Sequence, residues 1–137
     1  MYMNTKSMSY NIQMLVARLF IVGLFAMSAF GKITAFSGQA GFAGSSWITA
    51  TFPFLTGEIL LVVAILMEVI GVVLVLTGWQ MRYGAYILIL YTFLTSIMFH
   101  IGDGEMINFL KNLSVMGGLL ALSMMHAGKF SLDKKEN

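Results

Sequence analysis

The chain has no cysteine. It therefore offers no thiolate nucleophile, no disulfide exchange and no cysteine-held iron–sulfur cluster, so any redox role needs a bound cofactor or a partner protein. Charge is also scarce. Only 10% of the 137 residues are charged, against about a quarter in a soluble domain. The formal net charge of +2 is small and its bases are scattered, which leaves no basic patch for nucleic acid. Proline occurs once, at Pro53, so no proline breaks the long apolar runs.

What fills the chain is hydrocarbon: 58% of residues are hydrophobic and the mean hydropathy is +0.85. Four runs stand out, at about residues 12–30, 58–76, 83–101 and 106–125. At ~1.5 Å rise per residue each comes close to the thickness of a bilayer's hydrocarbon core. The pattern predicts an all-α membrane protein, with residues 1–137 forming one four-transmembrane-helix bundle in contact with the lipid bilayer. Residues 1–11 read as a polar surface tail. The alternative, a cleaved signal peptide, is disfavoured because Arg18 interrupts the apolar stretch. Residues 37–57 form the one long connection. Ser37 is a candidate N-cap for a short interfacial helix carrying Phe42 and Trp47, and Pro53 would end it. Such a connection is either packed cover over the bundle mouth or a mobile gate. The twelve methionines read as core filling, with a soft-metal site around Met1, Met3 and Met8 as the sharper alternative.

Five groups of the spans carry the chemistry. Glu68 lies near the middle of the second span, where a lone carboxylate costs roughly 2.5–3.5 kcal/mol and needs a partner, a proton or water. Arg18 lies ~9 Å and Glu68 ~13 Å from the same side, by helical rise. They are expected to pair, either as an ion pair that fixes helix register or as a proton- or ligand-binding site. Arg18 and Lys32 fall within about 40° of each other on one helix face. In the third span Thr92, Ser96 and His100 share a face; in the fourth, Asn108 and Asn112 do, with Lys111 beside them. Lys32, His100, Lys111 and Asn112 all belong to one outer level, which suggests a polar funnel with Glu68 near its floor. Ser114, Gly118 and Ala121 form a small-residue stripe expected to face a neighbouring helix.

His100 and His126 fall at opposite ends of a span, ~30 Å apart. One haem iron cannot take both within a monomer, and two separated histidines give zinc too few ligands. No metal site is expected. A channel would require a homo-oligomer, because four helices leave little lumen. Lys6, Arg82, Lys129, Lys134 and Lys135 fall on one side of a four-span bundle, against Lys32 and Lys111 on the other. This asymmetry places both termini in the cytoplasm.

Segments 16–36, 65–79, 93–100 and 109–122 resemble the four blocks of the DoxX family of small bacterial membrane proteins, nearest its YqjF-like branch. The shared pattern runs Arg18, Gly31-Lys32, Glu68, His100, then Lys111-Asn112 through Gly117-Gly118. The resemblance implies a four-helix bundle in the bacterial inner membrane, associated with quinone-linked oxidation and oxidative-stress complexes. It assigns no roles to these residues. Two functions follow as expectations. The first is an accessory, non-catalytic subunit of a quinone-linked oxidoreductase or other membrane redox complex, with redox partner proteins. In it Lys32, His100, Lys111 and Asn112 bind a quinone-like or amphipathic molecule, and Glu68, held by Arg18, carries protons. The second is a non-catalytic scaffold or a lipid- or solute-handling bundle.

Overall fold

The computed structural model describes residues 7–133. It contains six helices in this range: α1 (Met8–Thr34), α2 (Phe36–Gly44), α3 (Trp47–Thr51), α4 (Gly57–Thr77), α5 (Met81–Phe99) and α6 (Met106–Ser123). α1, α4, α5 and α6 are each long and apolar enough to cross a membrane. α4 packs between α1 and α5, and α5 packs on α6. α1 and α6 touch only sparingly. Both described ends of the chain meet at one end of the bundle, called here the termini end; α2, α3 and the α5–α6 turn lie at the far end.

The burial pattern follows helical periodicity. Tyr10, Met14, Arg18, Val22, Phe25 and Ala29 are the buried stripe of α1, and Lys32 continues it. Leu61, Glu68, Gly71 and Val75 form the matching stripe of α4. Spacings of three and four hold each set on one side of its helix. The lipid-facing sides are apolar instead of charged, as with Phe20, Met27, Phe30, Leu66 and Ile70.

α1 starts four residues earlier than the sequence suggests. Ser7 caps it by accepting from Tyr10 N at 3.1 Å, and residues 8–11 are the helix's first turn, not tail. Ser37 is not a cap either: α2 begins at Phe36 behind Ala35 and has no side-chain cap. The connection forms two short helices where one was expected, with Trp47 in the second. It is packed cover. Phe42 stacks on Phe99 with centroids 4.9 Å apart, and Trp47 Nε1 donates to Ile97 O at 3.1 Å.

The close-approach surfaces lie elsewhere than on α6. A Cβ on Gly57 would stand 2.0 Å from Ala40 O, so α2 and α4 touch backbone to backbone. A Cβ on Gly71 would meet Leu88 Cγ at 2.5 Å, and one on Gly84 would meet Leu74 Cβ at 2.7 Å. These two glycines let α4 and α5 close together. The stripe Ser114, Gly118 and Ala121 is exposed, and the nearest atom to a Cβ on Gly118 is Ile21 Cδ1 at 3.9 Å. α6 turns Leu119, Leu122 and Ser123 inward instead. A stripe of small residues marks a helix able to approach another, and it does not say whether this bundle uses that face.

Candidate functional site

Arg18 and Glu68 do not pair. Arg18, 1% exposed, gives its guanidinium to backbone carbonyls. Nε donates to Val75 O at 2.9 Å. Nη1 donates to Ala127 O at 3.0 Å and Phe130 O at 2.8 Å, and Nη2 donates to Leu76 O. Val75 and Leu76 belong to the last turn of α4, whose carbonyls have no helical partner and sit at the negative end of the helix dipole. Arg18 therefore caps α4 and ties down the segment after α6. Gly78 ends α4 at φ 70°, and a Cβ there would stand 2.4 Å from Ser131 Cβ, so only glycine fits the turn. The rest of the termini end is sealed by the same kind of bond. The Tyr10 hydroxyl donates to His126 O at 2.6 Å, Lys129 N donates to Asn11 Oδ1 at 2.6 Å, and Leu132 N donates to Thr77 O at 2.8 Å.

Glu68 takes Lys32 as its partner, with Nζ 3.0 Å from Oε2. Side-chain direction explains the choice. The Cα–Cβ bond of every helical residue tilts toward its helix's N-terminus. α1 and α4 are antiparallel neighbours. Arg18 therefore leans toward the termini end and Glu68 toward the far end, so the two diverge. Lys32, further along α1, leans back toward Glu68. Glu68 also lies seven residues before Val75, about 10 Å along the helix from the carbonyls Arg18 binds.

The ion pair forms the floor of a cavity of about 360 Å³ between α1, α2, α4, α5 and α6. Its walls are mainly apolar, with Phe25, Leu61, Met67 and Val115 among them. Glu68 is 0% exposed, and Lys32 is 15% exposed in its side chain. Lys32 Nζ also donates to Ser28 Oγ one turn back and lies 5.4 Å from the centre of the Tyr91 ring. The Tyr91 hydroxyl is within hydrogen-bonding reach of Glu68 and Ser28. A carboxylate has about four lone-pair sites, so Lys32 and Tyr91 leave part of its acceptor capacity unused beside the cavity.

His100 and Asn112 line the same cavity near the far end. Asn112 Nδ2 donates to Ser96 Oγ at 2.9 Å and so links α6 to α5. His100 Nδ1 lies 2.8 Å from Glu105 Oε2, which also accepts from Asn108 Nδ2 at 2.8 Å. Asn108 and His100 together hold the exposed Glu105 carboxyl below its ordinary range. Lys111 departs from the expected set. It is exposed, reaches Asn108 Oδ1 at 3.5 Å, and does not line the cavity. Tyr91 and Ser28 were missed by sequence reasoning. Ser28 is one turn before Lys32 on the same helix face, which was the available signal; Tyr91 had none. Among the described residues no three His, Asp or Glu side chains gather as a metal site. Met1 and Met3 lie outside the described residues, as do Lys6, Lys134 and Lys135.

The DoxX family model matches residues 13–101. That range holds Arg18, Lys32, Glu68 and His100, and stops before α6 with Lys111 and Asn112. Among known proteins the chain is similar to the inner membrane protein YphA of Escherichia coli K12, 32% identical over 132 residues covering 90% of each chain. It is also similar to the inner membrane protein YqjF of the same organism, 30% identical over 130 residues covering 93% of this chain and 94% of YqjF. No solved structure matches.

Proposed function

The chain belongs to the DoxX family, and from that premise we propose that it is an inner-membrane accessory subunit of a redox or oxidative-stress complex that binds an amphipathic, quinone-like molecule. The inner membrane is the location that the names of both relatives carry. The single observation behind the binding role is the cavity lined both by His100 and by the buried Lys32–Glu68 pair. A volume of about 360 Å³ falls at the small end of the range for ligand sites, roughly 300–1,000 Å³. Its apolar walls suit a ring and short chain, and its polar floor suits a head group. Lys32 and Asn112 supply N–H groups, His100 guards the mouth, and Glu68 accepts or delivers a proton. Without a cysteine, electrons would move through the bound molecule and a partner protein. Arg82 and Lys129 both lie at the termini end, which supports cytoplasmic termini by charge asymmetry and an outward-facing cavity.

A non-catalytic bundle is the rival. The 3.0 Å contact between Lys32 and Glu68 favours it, because such a pair also fixes the register of α1 against α4. Native mass spectrometry of the protein in mild detergent separates the two. Binding predicts a co-purifying quinone or lipid that disappears in Ala64→Phe, which fills the cavity from α4. Bare protein from the wild type, or an adduct that Ala64→Phe leaves unchanged, would favour the scaffold.

A further inference from the structure

We infer that the cavity floor selects molecules whose head group carries a hydroxyl or N–H, which is donated to Glu68. This deepens the binding role proposed above and rests on it. The argument begins with the unmet acceptor capacity of the floor. Glu68 is fully buried, and its two partners, the Lys32 ammonium 3.0 Å from Oε2 and the Tyr91 hydroxyl, leave part of a four-site acceptor unused. Lys32 supplies charge from one side, at Oε2, and shares its ammonium with Ser28. An unsatisfied buried acceptor is costly, and more so when it is charged. A ligand hydroxyl entering along the cavity removes that cost. A head group with only acceptor oxygens cannot, and it would set its lone pairs against those of the carboxylate.

At the far end of the same cavity His100 Nδ1 lies 2.8 Å from Glu105 Oε2, so that ring nitrogen is engaged by the turn and the choice among head groups falls to Glu68. The Tyr91 hydroxyl competes with the ligand for Glu68. Removing that hydroxyl should strengthen the preference and not weaken it.

The test uses three probes on one butylated ring: 2-butylhydroquinone, its dimethyl ether, and 2-butylquinone as the acceptor-only probe closest to the hydroquinone in size. They compete at equal concentration for the detergent-solubilised full chain, with occupancy read by native mass spectrometry. The wild type should hold the hydroquinone over the ether by about tenfold or more, the size of one hydrogen bond to a charged group. Tyr91→Phe should keep or raise that ratio. Glu68→Gln should bring it within about threefold, since an amide presents a donor as well as an acceptor. Equal occupancy of all three probes in the wild type would overturn the donor preference while leaving amphipathic binding intact. An undiminished ratio in Glu68→Gln would move the preference to another residue and overturn the assignment. No occupancy by any probe would sink both this inference and the binding role beneath it. A ratio that falls in Tyr91→Phe would give the preference to the tyrosine and overturn the assignment to Glu68, so the inference stays testable even if Glu68→Gln does not fold.

Discussion

Arg18 and Glu68 are both buried charges on the inward stripes of neighbouring helices, yet the fold treats them in opposite ways. Arg18 is saturated. Four carbonyls converge on its guanidinium, and a tight turn at Gly78 closes over it. Glu68 has one ion-pair partner, one hydroxyl beside it and a cavity against it, with acceptor capacity to spare. Burial of a charge alone does not mark a functional group. Whether its hydrogen-bonding capacity is met separates the two: a fully met charge holds helices together, and a partly met one at a cavity is where a ligand can act. The termini end is thus the structural clamp of the bundle, and the far end is its candidate site.

The largest effect should come from breaking the clamp. Arg18→Leu removes all four bonds and takes the guanidinium from the carbonyls of Leu76, Ala127 and Phe130 and from Val75 O, which keeps only the Gly78 amide. We expect a loss of about 3–5 kcal/mol, the range for breaking a buried, multiply bonded charge. Arg18→Lys should recover only part of this, because an ammonium cannot reach carbonyls on two segments with a planar fork. Thermal unfolding in mild detergent measures both. A loss under about 1 kcal/mol for Arg18→Leu would mean that the tail and α4 hold without the clamp, and the contrast with Glu68 would fail.

The next comparison is within α6. Leu119 is 0% exposed, whereas Gly118 is exposed, with Ile21 Cδ1 3.9 Å from where a Cβ would stand. Leu119→Ala should cost about 2 kcal/mol, because lipid does not restore the lost packing. Gly118→Leu should cost well under about 1 kcal/mol, as exposed substitutions do. This reverses the order that the small-residue stripe suggests from sequence. If Gly118→Leu were the worse of the two, that face of α6 would be packed against something in the detergent-solubilised protein, and its oligomeric state should then be measured.

Much of the fold is legible in the sequence, and the limits of that legibility are physical. The four spans follow from apolar length, and the shared face of Arg18 and Lys32 follows from helical angle. The partner of Glu68 does not follow from depth, which is where sequence reasoning goes wrong. Depth locates a Cα, but a long side chain acts several ångströms away, in the direction its helix sets. Applying the N-terminal tilt to antiparallel helices selects Lys32 over Arg18 without coordinates. The glycine contacts are a different case. Gly57 and Gly71 look no more special than Gly117 or Gly118 until the crossings of α2, α4 and α5 are known. The tail after α6 reads as polar surface, because nothing local announces that its carbonyls fill the guanidinium of Arg18.

A double-mutant cycle sharpens the contrast further. Lys32→Met with Glu68→Gln should show a coupling of about 1 kcal/mol or more, since each single change leaves the other charge buried without its partner. Arg18→Gln with Glu68→Gln should be additive within about 0.5 kcal/mol, as for groups that share no partner. Coupling in the second cycle and none in the first would restore the pairing that the structure replaces.

The smallest effect concerns the other acid of the far end. Glu105 is exposed, and its carboxyl is held below the ordinary value of 4.5, first by Asn108 and then by His100. A depressed carboxylate pKa means that the folded turn prefers the ionised form. Its contribution to folding is therefore present above the ordinary value and is lost as pH falls through the lowered one. The effect on global stability should be slight, because an exposed charge is screened by solvent. Its titration is the sensitive readout. Followed by NMR of the side-chain carboxyl, the midpoint in the wild type should lie below 4.5. Asn108→Ala should move it upward, and His100→Ala should move it upward by less. The amide of Phe109, which donates to Glu105 O at 3.0 Å, reports whether the turn loosens in the same interval. A wild-type midpoint at or above 4.5 would detach His100 from Glu105. The imidazole would then be free to present either nitrogen at the mouth, and the contrast between a donor-poor site and a saturated clamp would rest on Glu68 alone.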